Sequence, residues 1–89
     1  MELSERCIQT LEKEGFSTIY EDSESPNTTH ETYSHKYKVA IFVTEGSLEV
    51  TINDKVKTLQ AGGRIDIPAN TPHSTVAGLN GCQLVIGEN

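Results

Sequence analysis

Residues 48–68 read LEVTINDKVKTLQAGGRIDIP, and the fold follows from them. Leu48, Val50 and Ile52 alternate with Glu49 and Thr51, the period-two pattern of a strand with one face in a core. Asn53-Asp54 tolerates the positive φ that a tight hairpin needs, and it leads into a second strand from Lys55 to Leu59. Ala61-Gly62-Gly63 turns the chain again. Ile65 and Ile67 then alternate with Arg64 and Asp66 until Pro68, which has no N–H to give a ladder, stops the strand.

The same rhythm extends in both directions. Beyond Pro68, His73 to Ala77 reads as a strand, Gly78-Leu79-Asn80-Gly81 as a turn and Cys82 to Ile86 as a last strand. Upstream, Tyr33 to Val43 reads as one long strand and Phe16 to Tyr20 as a short one. Glu21 to Thr29 (EDSESPNTT) is polar and contains Pro26, which predicts a loop or an edge segment. Short strands punctuated by glycine turns predict an all-β barrel or sandwich. The exception is residues 4–14. There Leu3, Cys7, Ile8 and Leu11 fall on one helical stripe, Ser4 can cap the start, and Gly15 suits the stop. The expected organisation is a helix over residues 1–15 packed outside a barrel domain of residues 16–89.

Composition narrows the function classes. The chain has 89 residues, one domain's worth, and its longest apolar run, Val39 to Val43, is too short to cross a membrane as a helix. Thirteen acids face seven bases, and the first 31 residues carry the whole net charge of −6. Phosphate neutralisation needs clustered Lys and Arg, so neither nucleic acid nor an anionic membrane surface is expected as a partner. The acidic N-terminal segment reads as a solvated face. The start, MELSERC, lacks a basic and apolar leader, which predicts a cytoplasmic protein. In that compartment Cys7 and Cys82 are expected as free thiols in apolar surroundings, the alternative being a bridge that staples the N-terminal segment to the last strand.

Catalytic motifs are sparse. His30-Glu31-Thr32-Tyr33-Ser34-His35 superficially matches a zinc-protease helix, but its histidines are five apart rather than four and sit in an extended context. No nucleophile elbow or phosphate-cradling glycine loop is present. What remains is a face. In a continuous strand Tyr33, His35, Tyr37, Val39, Ile41 and Val43 share one side, polar at one end and apolar at the other. In a closed barrel the polar end would lie at the mouth, where small barrels hold ligands.

Two stretches resemble the cupin family. Tyr33 to Gly46 (YSHKYKVAIFVTEG) is similar to the first cupin motif and Gly62 to Ala77 (GGRIDIPANTPHSTVA) to the second. In the first, His35 and Gly46 match, while Tyr33 stands where the family has a histidine and Val39 where it has a glutamate. In the second, Gly62, Pro68 and His73 match in spacing, Asn70 replaces a glycine, and Ala77 replaces an asparagine. The resemblance covers roughly residues 16–87. It implies a conical antiparallel jelly-roll barrel (a double-stranded β-helix) with one pocket at its wider mouth. It also implies a divalent metal such as Zn, Ni, Fe or Mn, for which only His35 and His73 survive as ligands. His30 or Glu31 could supply a third from the loop, and Tyr33 could do so as a phenolate.

Three readings of function follow. The first is a small-molecule-binding cupin with a reduced or absent metal site, whose Tyr33, His35, Tyr37 and His73 receive a small polar or carboxylated molecule. The second is a metal-dependent cupin enzyme of the dioxygenase, isomerase or lyase type. The third is a non-catalytic structural or regulatory module with a plugged lumen. A homodimer is expected, with an interface near Phe16 to Tyr20 or on an apolar outer sheet face.

Overall fold

The computed structural model describes residues 2–89. The helix α1 is Leu3–Lys13, followed by strands β1 (Thr18–Glu24), β2 (Thr29–Tyr33), β3 (Val39–Ile52), β4 (Lys55–Gln60), β5 (Arg64–Ile67) and β6 (His73–Glu88). All six strands form one antiparallel sheet. The long strands β3 and β6 pair with each other from Val39↔Glu88 to Ile52↔His73. On the far edge of β6 lie β1, against residues 82–88, and β2, against residues 73–76. On the far edge of β3 lie β4 and β5. The sheet curls into an all-β barrel with one helix outside, the architecture the strand rhythm predicts.

Glycine geometry explains the bend. Gly46 and Gly81 both have positive φ, 77° and 73°, beside a register shift between β3 and β6. A Cβ on Gly46 would strike the Gly81 carbonyl oxygen, so β3 meets β6 here only because Gly46 carries no side chain, while a Cβ on Gly81 would strike the Glu24 carbonyl oxygen at the end of β1. The hairpin at Asn53-Asp54 forms as expected, with φ of 52° and 64° and Ile52 opposite Lys55.

Two apolar clusters lie on opposite faces of β3 and β6. Val39, Ile41, Val43, Leu48, Val50, Cys82, Leu84 and Ile86 fill the lumen with Leu59, Ile67 and Ala77. The intervening residues Ala40 and Val85 face outward and meet Cys7, Leu11 and Phe16 beneath the helix. Leu11 is wholly buried, a contribution of about 1.5–3 kcal/mol from the side chain alone. A Cβ on Gly87 would press on Phe16 and Leu11 at about 3 Å, which is why that strand position is bare. Arg64 fastens the helix end to the barrel. Its Nη1 and Nη2 donate to both Glu14 carboxylate oxygens at 2.7 Å, and its Nε donates to Asp66 at 2.7 Å.

The structure corrects several expectations. Tyr33 to Val43 is not one strand. Tyr33 pairs with His73 at the start of β6 and Val39 with Glu88 at its end, so residues 34–38 must leave the ladder to cross between them. Of the two expectations for the polar segment, Glu21 to Glu24 meets the edge one: it extends β1 at the end of the sheet, held by in-register pairing with Cys82 to Val85. Gly78 to Gly81 does not reverse the chain but lies within β6 as an irregularity. The helix starts at Leu3, and no side chain caps it. Of its apolar stripe, Cys7 and Leu11 are buried and Leu3 stands at the surface. Cys7 and Cys82 are free and buried in different clusters, so the bridge is excluded. Phe16 lies under the helix of its own chain.

Candidate functional site

The wider mouth of the barrel opens into a pocket of about 460 Å³. Its floor is apolar, formed by Val39, Ile41, Leu48, Leu84 and Ile86. These are the lumen-facing alternates of β3 and β6, so the period-two pattern builds the floor directly. The walls are polar. Tyr20, Asp22 and Glu24 come from β1, Thr29, His30, Glu31 and Tyr33 from β2, His35 from the crossing segment, and Thr75 and Glu88 from β6.

Two loops set the position of His35. The Asn70 N–H donates to the His35 carbonyl at 2.6 Å. Asn70 has φ 61°, a conformation that glycine adopts freely and asparagine adopts best among the rest, so the replacement of glycine at this position keeps the backbone shape. His73 is 1% exposed, and its Nδ1 donates to the Thr71 carbonyl at 2.9 Å. That bond fixes the tautomer and leaves the lone pair on Nε2. His73 Nε2 and His35 Nδ1 are both buried with no hydrogen-bond partner.

The rings form a continuous cluster. Tyr33 stands 4.4 Å from His73 and 5.0 Å from His35, centroid to centroid. His35 stands 5.3 Å from His73 and 5.0 Å from Tyr37. Burial and the neighbouring His73 lower the pKa of His35. Burial, then the Glu24 carboxylate, hold Tyr33 above the usual phenol range, so it is a neutral hydroxyl rather than a phenolate. Burial and a hydrogen bond from its hydroxyl to Glu88 Oε2 at 2.9 Å push Tyr20 up. Tyr37 is raised by burial and then by Glu88.

The sequence-predicted residues thus meet, with two exceptions. Tyr33, His35 and His73 converge, although not on one strand, and His73 sits beside the other two rings without itself lining the pocket. Tyr37 packs against the lumen cluster behind His35 rather than lining the pocket. His30 is turned away from the other two histidines by a two-pronged contact with Glu24, at 2.9 and 3.0 Å. Asp22, Glu24, Tyr20 and Glu88 were missed. Tyr20, Asp22 and Glu24 are spaced two apart, and so are Leu84, Ile86 and Glu88. That spacing is the available signal, and reading residues 21–29 as a loop or an edge segment, with no paired face, hides half of it.

The metal implied by the resemblance does not fit this donor set. Among the described residues no three His, Cys, Asp or Glu side chains come together as a metal group. His73 and His35 offer two imidazole nitrogens. Val39 brings no donor, Tyr33 is a neutral phenol, and His30 is engaged with Glu24. Catalytic metals generally keep three protein ligands.

The cupin domain family matches residues 23–81, and the chain belongs to that family. No curated protein matches it in sequence. Among solved structures it is similar to a cupin-2 domain protein from Shewanella frigidimarina, at 25% identity and a TM-score of 0.68 over 76% of this chain and 65% of that one. It is also similar to the polyketide cyclase RemF of Streptomyces resistomycificus, at 29% identity and a TM-score of 0.68 over 80% of this chain and 53% of that one. The Mn(II) oxalate decarboxylase of Bacillus subtilis shares the fold, at 22% identity and a TM-score of 0.74 over 80% of this chain and 20% of that one. The chain therefore spans less than two thirds of the length of each of these three. No helix among the described residues is long and apolar enough to cross a membrane.

Proposed function

We propose that this cupin domain binds a small polar molecule in the barrel mouth, without a complete set of protein ligands for a metal. One observation carries the reading: an open pocket of about 460 Å³ with an apolar floor and a polar wall that includes His35, whose buried Nδ1 has no partner. Pockets of this size with few convergent polar groups are the usual form of small-molecule sites. Buried polar atoms without partners are uncommon enough to call for an occupant. Tyr33 and Val39 line the lumen rather than plug it, which weighs against an inert structural module. The carboxylated half of the expected ligand class loses its support, because four carboxylates and no Lys or Arg line the pocket. The test is a fragment screen by NMR with metal analysis of protein purified without chelator. Shifts confined to Tyr33, His35 and Thr75, with metal well below stoichiometric, support the reading.

A second reading, a metal-dependent enzyme, has one observation in its favour. The bond from His73 Nδ1 to the Thr71 carbonyl is the arrangement that orients metal-ligating histidines. One tightly held metal per chain, lost on His35→Ala, would favour this reading over the first. We also propose a homodimer. Val56 and Val76, 60% and 37% exposed on β4 and β6, give the outer sheet face an apolar component that a second copy could cover. Light scattering showing only monomer at high micromolar concentration would refute it.

A further inference from the structure

We infer that the pocket selects organic cations, and specifically an ammonium group carried on an apolar body. This rests on the reading that the pocket binds a small molecule, and it names the class. Two features point the same way. The lining carries the carboxylates of Asp22, Glu24, Glu31 and Glu88 with no Lys or Arg, so its field attracts cations and repels anions. The rings of Tyr33 and His35 stand 5.0 Å apart, centroid to centroid, on the pocket wall, a pair of aromatic groups beside which a cation is favoured. The apolar floor of Ile41, Leu48, Leu84 and Ile86 takes the ligand's body.

The acidic N-terminal segment acquires a role in this account. Asp22, Glu24 and Glu31 belong to the residues that carry the net charge of the chain, and the β1 and β2 ladders turn them toward one opening.

Three probes of one skeleton test the inference: phenethylamine, phenethyl alcohol and hydrocinnamate, titrated into the intact chain at neutral pH and low salt by NMR. The amine should bind about tenfold tighter than the alcohol, the carboxylate should be weakest, and only the amine's affinity should fall as salt is added. In the double variant Asp22→Asn, Glu31→Gln the amine should weaken by about fivefold and the alcohol should not change. In Tyr33→Leu, which removes a ring from the pocket wall, the amine should weaken again. Equal or tighter binding of the alcohol or the carboxylate overturns the charge preference and leaves the small-molecule reading standing. Failure of all three probes overturns the ammonium proposal. In that case a fragment screen of mixed charge decides the parent reading separately, and its silence would overturn that too.

Discussion

The closed end of the barrel and its mouth are built from the same two long strands under opposite rules. At the closed end Val43, Val50, Leu59 and Ile67 are essentially without exposure, packed in the apolar cluster and absent from the pocket lining. At the mouth, along the same face of β3 and β6, the neighbours are rings, carboxylates and two imidazole nitrogens with no partner. The closed end obeys every local rule of folding. The mouth breaks the rule that buried polar atoms are satisfied. Where a fold departs from internal consistency, function is the usual cause, and here the departure is confined to one end of one cavity.

The sharpest way to break this contrast is to import a charge across its boundary. Val39 is 3% exposed and lies where floor meets wall. Tyr33→His with Val39→Glu would add the donors that the two histidines lack. Without metal, a carboxylate buried there should cost about 4 kcal/mol. Nickel should return most of that, because the barrel already holds the other two imidazoles in place. Thermal melts of parent and variant, each with and without nickel, read both effects. A parent stabilised by nickel as strongly as the variant would mean that another residue completes its site.

A cavity at the closed end comes next. Leu59→Ala removes a side chain that is 2% exposed, in the apolar cluster and away from the pocket lining. The expected loss is about 3 kcal/mol in urea unfolding. The matching change at the mouth should cost far less. His73→Phe gives up one hydrogen bond to Thr71 but also removes a buried nitrogen without a partner, so its net effect should stay within about 1 kcal/mol. If His73→Phe proved as damaging as Leu59→Ala, the mouth would be a structural core and the contrast would fail.

The same contrast governs what could be read in advance. The alternation of Leu48, Val50 and Ile52 and of Ile65 and Ile67, with the turns at Asn53-Asp54 and Gly62, was visible because each is a local signal. The spacing from Gly62 through Pro68 to His73 likewise identified the family. The mouth was less legible because long-range register assembles it. Tyr33 and Val39 are six positions apart in sequence, yet they pair with opposite ends of β6, and no local pattern reveals that the chain must cross between them. The pairing of Glu21 to Glu24 with β6 is of the same kind. Its residues are polar on both faces, and only the ladder with Cys82 to Val85 makes them strand. Consequently the histidines were found and the carboxylates around them were not.

The smallest expected effect concerns His35 and pH. Burial disfavours its imidazolium, and the neighbouring His73 adds to that, so its folded pKa lies below the ordinary histidine value of about 6.5. Between those two values the unfolded chain holds more protons than the folded one. Stability therefore rises with pH through that window. The contribution is complete above about pH 6.5 and is lost as pH falls from there toward the folded value. The slope should be shallow, since His35 is only partly buried and solvent screens it. It should also precede the steeper loss expected once carboxylates protonate near pH 4, where Glu14, held low by its bond to Arg64, begins to release the helix end. Urea unfolding at intervals from pH 7.5 to 5, with His35→Phe alongside, isolates the histidine. The difference between the two profiles should vary below about pH 6.5 and be flat above it. A parent profile parallel to that of the variant would mean that His35 titrates alike folded and unfolded. The mouth around it would then be wet and permissive, not the dry, unsatisfied wall that sets this end of the barrel apart from the other.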